Sequence, residues 1–258
     1  MLRPRIIPCL LLSEKGLVKT IEFTDKKYVG DPINAIRIFN EKECDELMVL
    51  DIDSSAKNLN IDLELIKKFA AECRMPLCYG GGIKTLEQAR KIISLGVEKI
   101  AISSSAIEDI SFVSELSKEI GSQSVVVVID YKKNIFGKNI IFTHNGQKNT
   151  RKEVIKFIEE LQECGAGEIV LNSIKRDGSM KGYDIKFASE IRKNISIPLT
   201  ILGGAGSIKD ISDLISQCGI LGASAGSLFV FKGIYRAVLI NYPDSETKRN
   251  IIECKVEE

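Results

Sequence analysis

No charge of one sign dominates this sequence: 36 lysines and arginines stand against 35 acids. That near balance leaves no electrostatic footprint for nucleic acid or for an anionic membrane. Long apolar runs are also missing. No stretch approaches the roughly 20 residues that span a bilayer. The apolar run in MLRPRIIPCLLLSEK is interrupted by Pro8 and followed at once by charge, which makes it marginal as a secretion signal. Seven cysteines are present, yet at positions 9, 44, 73, 78, 164, 218 and 254 no two have CxxC spacing. Neither a metal site nor a disulfide framework is suggested, no cofactor is implied, and a reducing, cytoplasmic setting is expected. His144, the only histidine, is expected on the surface. No linker, low-complexity segment or proline-rich boundary divides the 258 residues, so a single domain is expected.

What the chain does have is alternation. Short β-branched runs occur at 5–11, 47–52, 98–103, 124–130, 167–172 and 198–202, with weaker ones at 76–79 and 220–224. Between them lie helical patterns with start and stop signals: Asp31 before Pro32, Thr85 with Gln88 before an apolar face closed by Gly96, and Ser207 repeating that design. Near-continuous apolar strands alternating with helices predict an α/β fold with an all-parallel sheet, either open or closed. Internal repetition decides between the two. LDIDSS at 50–55 aligns with LNSIKR at 171–176 and CYGGGIKTLEQARKII at 78–93 with ILGGAGSIKDISDLI at 201–215. AISSSA at 101–106 aligns with GASAGS at 222–227; the three offsets are 121, 123 and 121. A half-barrel used twice closes into a single (β/α)8 TIM barrel. The halves run over about 1–121 and 122–245, with a C-terminal extension to 258. Two segments are read as long loops, 12–30 and 131–150. The second holds an alternating NIIFTH and then Asn145-Gly146, which predicts a hairpin.

Chemistry in such barrels sits at the C-terminal ends of the strands. Two clusters of small residues fall there: Gly80, Gly81 and Gly82 with Ser103 and Ser104, and Gly203, Gly204 and Gly206 with Gly226 and Ser227, helped by Gly178. Backbone N–H groups in such turns suit phosphate, and two clusters across one mouth predict a ligand phosphorylated at both ends. Lys19, Asp51, Asp130, Asn172 and Asp177 are the other polar groups of that rim. Asp130 follows a run of valines and an isoleucine, so burial is expected to raise its pKa into acid/base range. Asp177, in KRDGS, serves equally well as a turn former.

RIIPCL, GDP, LDI, GGGI, VVVVID, HNGQKNT, GAGEI, RDG, GYD and GGAG run in order over essentially the whole chain. Together they resemble HisF, the cyclase subunit family of imidazole glycerol phosphate synthase. The resemblance implies a barrel that pairs with a HisH-like glutaminase and passes ammonia along its axis to a bis-phosphorylated, nucleotide-like substrate. It also implies an ammonia gate of alternating charges at the N-terminal mouth, here Arg5, Glu46, Lys99 and Glu168, all retained. The family's two catalytic acids end strands one and five. Asp130 keeps one, whereas Leu11 occupies the place of the other; Ser103 and Leu202 depart from the usual ligand contacts as well. Asp130, Asp51, Lys19 and Asp177 remain as candidate catalytic groups.

Three functions are compatible with this pattern. The first is a HisF-like paralogue that supplies ammonia for amidation of a nucleotide sugar in surface-glycan synthesis, with a separate sugar-amidating synthetase as partner and a phosphosugar or bis-phosphorylated ligand. The second is the ordinary cyclase of histidine biosynthesis. The third is a non-catalytic scaffold that binds phosphate ligands and activates the glutaminase.

Overall fold

The computed structural model describes residues 3–57 and 59–253, so Cys254 and the end of the expected C-terminal extension lie outside the described residues. Eight strands form the barrel: β1 (Arg5–Ser13), β2 (Leu47–Asp51), β3 (Leu77–Gly80), β4 (Lys99–Ile102), β5 (Val125–Lys133), β6 (Glu168–Ser173), β7 (Leu199–Leu202) and β8 (Gly222–Ala225). Each pairs in parallel with the next, and β8 pairs with β1, so the eight strands close into a barrel. Helices cover the outside because one stripe of each is apolar; Ala89 and Ile92, for example, are buried on the helix Leu86–Ser94. That helix starts with a complete capping box between Thr85 and Gln88, and Ser207 with Asp210 builds another on the helix Ile208–Cys218.

Alternation along the strands fixes what faces the axis. Ile7, Cys9 and Leu11 on β1 share an interior apolar cluster with Met48 and Leu50 on β2, Val126 and Val128 on β5, and Val170 on β6. Two-fold equivalence can therefore be read from the inward positions. Leu11 corresponds to Asp130 and Leu50 to Asn172. Glu46 and Glu168 then fall in register, which makes the offset between β2 and β6 122, one more than sequence alignment gives. The paired capping boxes and the positive-φ glycines Gly81/Gly82 and Gly203/Gly204 likewise set the third and seventh units 122 apart, not 123. Ser103 and Gly226, both preceding a short helix, set the fourth and eighth units 123 apart, not 121. Sequence alignment missed these because it matched glycines and serines by identity, whereas the fold matches them by the face they occupy.

Two excursions rise from the C-terminal rim. The expected hairpin is present: Asn139–Thr143 pairs with β5, and Lys148–Glu153 pairs back on it. The segment 12–30, read as a loop, is instead a second antiparallel excursion. Gly16–Ile21 pairs with β1, and Thr24–Gly30 pairs with Gly16–Ile21. Its returning strand is exposed from Thr24 to Tyr28, so no apolar alternation marks it. Its turn places Glu22 and Phe23 at φ 49 and 66 without the Asn-Gly or Asp-Gly pair that usually signals such a turn.

Gly178 ties this excursion to the loop after β6. It adopts φ +65, and a Cβ there would stand 2.0 Å from the Thr20 carbonyl oxygen. Gly178→Ala is therefore expected to cost about 1–3 kcal/mol, read as a lowered unfolding midpoint with a larger relative loss of protection in residues 16–30 by hydrogen exchange.

Candidate functional site: two ends of one barrel

At the N-terminal end four charges close a ring. The Arg5 guanidinium donates to Glu46 and, at 2.8 Å, to Glu168. Lys99 Nζ donates to Glu46 Oε1 and to Glu168 Oε2, both at 2.9 Å. Thr200 Oγ1 adds a 2.6 Å hydrogen bond to Glu168 Oε1. Both carboxylates are buried, as is Thr200. Burial alone would raise the Glu168 carboxyl, but the charges of Arg5 and Lys99, with hydrogen bonds from Arg5 and Thr200, hold it down at about 2. Burial likewise opposes charge on Lys99, yet Glu168 and Glu46 keep its pKa above the ordinary value. Buried charges are tolerable in this arrangement because each one faces two of opposite sign. Thr200 was legible only as the one polar residue of an otherwise apolar strand.

Beyond the ring the axis is apolar. Ile7, Met48, Cys78, Val126 and Val170 are followed by Cys9, Ala101, Val128 and Leu202, all buried. Burial keeps the thiols of Cys9 and Cys78 protonated, with Cys9 pushed up to about 11.

The C-terminal mouth is a cavity of about 670 Å3 that both glycine clusters border, together with Leu11, Lys19, Asp51, Asp130, His144, Asn172 and Asp177. The residues expected at the rim are therefore brought to one cavity, with Gly206 alone of them not lining it. Gly81 and Gly204 are both in positive φ and pressed against backbone: a Cβ would stand 2.4 Å from the Asp51 carbonyl oxygen at one and 2.2 Å from that of Gly182 at the other. The short helices Ser104–Glu108 and Ser227–Val230 carry no side-chain cap on their first turns, unlike the capped helices behind them. Their leading N–H groups are left for a ligand or for solvent.

The polar groups are not equivalent. Asp130 Oδ1 accepts a 2.8 Å hydrogen bond from Asn172 Nδ2, and the two residues are register partners. The corresponding register partners in the other half are Leu11 and Leu50. One side of the mouth is thus a hydrogen-bonded polar pair and the other a pair of leucines. Burial pushes the Asp130 carboxyl up to about 7, against the Asn172 hydrogen bond, and the charge of Asp177 adds to the rise. Asp177 is itself raised by burial, although it accepts a 2.8 Å hydrogen bond from the Thr20 hydroxyl. Lys19 is buried, donates to the Cys9 carbonyl and has its pKa lowered by that burial. Its Nζ would stand 2.3 Å from a Cβ at Gly226, so it lies against the second glycine cluster.

Asp51 borders the cavity as expected, with its carboxylate already engaged. Its carboxylate caps the next helix, accepting from Asp53 N at 2.9 Å, Ser54 N at 3.0 Å and Ser54 Oγ at 2.7 Å. His144 is not a plain surface residue: the hairpin folds over the cavity, half-burying it, and Asn145 Nδ2 reaches the Ile52 carbonyl at 2.9 Å. Sequence reasoning also gave Asn172 no specific role; only its register against Asp130 assigns one.

Asp130 should cost the folded protein stability. A carboxyl whose pKa is raised on folding binds a proton more tightly in the folded state, so stability falls as pH rises from about 4 towards 7. Asp130→Asn is expected to raise the unfolding midpoint at pH 8 and to leave it nearly unchanged at pH 4. An equal shift at both values would mean that charge burial is not the cause.

Residues 5–235 match the family model described as "Histidine biosynthesis protein". A Leptospira borgpetersenii protein named "Putative imidazole glycerol phosphate synthase subunit HisF" is 57% identical over 96% of this chain and 98% of its own. A Vibrio vulnificus (strain YJ016) protein of the same designation, hisF3, is 53% identical over 98% of each chain. The "Imidazole glycerol phosphate synthase subunit HisF" of Alkaliphilus metalliredigens (strain QYMF) is 36% identical over 91% of this chain and 93% of its own.

Proposed function

The chain belongs to the HisF-like family of histidine-biosynthesis barrels, and from that premise we propose that it is the barrel subunit of a glutamine amidotransferase complex whose own ring-closing step is disabled. A HisH-like glutaminase docks at the charged ring, ammonia moves along the apolar axis, and a bis-phosphorylated or phosphosugar ligand occupies the two glycine clusters. The ammonia then serves amidation of a nucleotide sugar in surface-glycan synthesis, carried out by a separate synthetase.

The observation that carries this reading is the asymmetry between the two ends. The ring keeps four mutually paired charges, which a barrel with no traffic at that end could replace by apolar residues at no loss of stability. At the mouth, Asp130 faces Leu11, and a leucine neither donates nor accepts a proton. Asp51, another acid bordering the cavity, has its carboxylate engaged in capping its helix. An unionised lining of thiols and aliphatic side chains suits a neutral, uncharged nucleophile better than an ion. A numbered name such as hisF3 among the relatives is consistent with a second copy kept beside an ordinary cyclase.

The test is reconstitution with the HisH-like glutaminase of the same genome. A stable complex with glutamine-dependent ammonia release, and no rescue of a histidine auxotroph by this chain, is the expected pair of results. Rescue of the auxotroph would establish the ordinary cyclase instead. A complex whose glutaminase answers only to a phosphorylated ligand, with no ammonia passing to any acceptor, would favour the scaffold.

A further inference from the structure

Two hydrogen-bonded turns after barrel strands hold large apolar side chains out into solvent. Ile135 and Phe136 are 93% and 81% exposed, and Ile234 and Tyr235 are 87% and 89% exposed. The first turn is built by Asn134: its Oδ1 accepts from Phe136 N at 2.9 Å and from Lys138 N at 3.0 Å, and its N–H donates to the Lys138 carbonyl at 2.9 Å. The second joins the short strands Phe231–Lys232 and Ala237–Val238. It is clamped from two sides. The Phe231 ring lies between Lys27 Nζ at 4.9 Å and the Arg236 guanidinium at 5.0 Å. Arg236 Nη2 also donates to the Gly178 carbonyl at 3.0 Å, and Lys27 Nζ to the Arg236 carbonyl at 3.1 Å. Neither apolar pair is a frayed end.

Their placement and charge narrow the occupant. The turns follow β5 and β8, which lie three strands apart one way round the barrel and five the other, so the pairs stand across the mouth from each other. Residues 131–139 carry three lysines, of which Lys138 pairs with Glu153 at 2.6 Å and Lys132 and Lys133 do not share that acid, and residues 231–238 carry a lysine, an arginine and no acid. An aliphatic–aromatic anchor inside a basic surround is therefore presented twice, on opposite sides of one opening. Exposed aromatic anchors of this kind mark protein interfaces, and the surround calls for an acidic rim on the partner. Anything gripping both turns covers the mouth.

We propose that the ammonia-consuming enzyme docks on this face, with two apolar pockets rimmed by acidic residues that take Ile135–Phe136 and Ile234–Tyr235. The inference rests on the amidotransferase reading above and adds to it a location: the glutaminase seats at the ring and the consumer at the opposite end, so that ammonia leaving the barrel meets an acceptor rather than water.

The experiment purifies the tagged full chain from its native host in three forms: unaltered, Ile135→Asp/Phe136→Asp, and Ile234→Asp/Tyr235→Asp. All four side chains are exposed, so the fold is not at stake; circular dichroism and retained glutaminase recovery verify this. The expected result is that an enzyme shown separately to amidate its substrate with ammonium chloride is recovered with the unaltered chain. Its recovery should fall at least tenfold with either variant, while recovery of the glutaminase is unchanged. Three outcomes overturn the proposal: recovery of that enzyme equally by all forms, no such enzyme recovered by the unaltered chain, or loss in the variants only of self-association or of binding to phosphatidylglycerol vesicles. Loss of the glutaminase from the unaltered chain would instead overturn the amidotransferase reading, so the two failures are distinct.

Discussion

Supplied with ammonium salt and the bis-phosphorylated substrate of the HisF cyclase, the unaltered chain should close the imidazole ring about 10²–10⁴-fold more slowly than its Leu11→Asp variant. The expectation follows from the register of the mouth. Leu11 and Asp130 are equivalent inward positions of the two halves, and both border the 670 Å3 cavity. A carboxylate restored at position 11 would face Asp130, whose pKa near 7 suits proton transfer at neutral pH. It would also have a hydrogen-bond donor at hand, because Lys19 Nζ donates to the carbonyl of Cys9 on the same strand. Leu11→Asn is the matched control, since it restores polarity and size without a transferable proton. Only the aspartate should gain activity, and its rate should rise and then fall across the pH range as two acids titrate. Brisk turnover by the unaltered chain, or equal gains from Asp and Asn, would end the argument that a missing acid is what silences the mouth.

Removing one acid of the charged ring should be strongly destabilising. Glu168→Ala leaves Arg5 and Lys99 sharing Glu46 alone and strips Thr200 of its acceptor. Breaking a buried ion network in this way costs about 3–5 kcal/mol, far above the roughly 0–1 kcal/mol of an exposed pair. The pH dependence has a defined sign. Glu168 titrates at about 2 when folded against an ordinary 4.5, so its contribution is complete above about 4.5 and disappears as pH falls towards 2. Denaturant unfolding at pH 7 should therefore show the full loss in Glu168→Ala, and near pH 2 the variant and the unaltered chain should converge. A loss below about 1 kcal/mol at pH 7 would mean that the ring is solvated and does not hold this end of the barrel together.

Much of this was visible in the residues themselves. The apolar runs mark the eight strands, Asp31, Thr85 and Ser207 mark the helix starts that cap them, and the repeated glycines mark the rim, because each of these signals is local. What was misread was non-local. The excursion 16–30 hides because one strand is solvated and its turn uses Glu22 and Phe23 rather than glycine. That the Asp51 carboxylate also caps a helix is hidden, because sequence does not say which donors a strand-terminal carboxylate meets; three from residues 53 and 54 engage it. His144 looks superficial because nothing in a hairpin sequence says over what it folds.

By itself, the sequence determined the closed α/β barrel, since period, capping and repetition need no third dimension; the four charges at one end and the place of Leu11 were implied by its resemblance to the HisF family. Tertiary structure alone decided that the four charges meet in a ring, that Asp130 bonds Asn172 while Leu11 meets Leu50, and that apolar turns rise from the C-terminal end. Those facts depend on strand register and barrel closure, which bring together residues more than a hundred positions apart, and the energy of a buried charge depends on what closure places beside it.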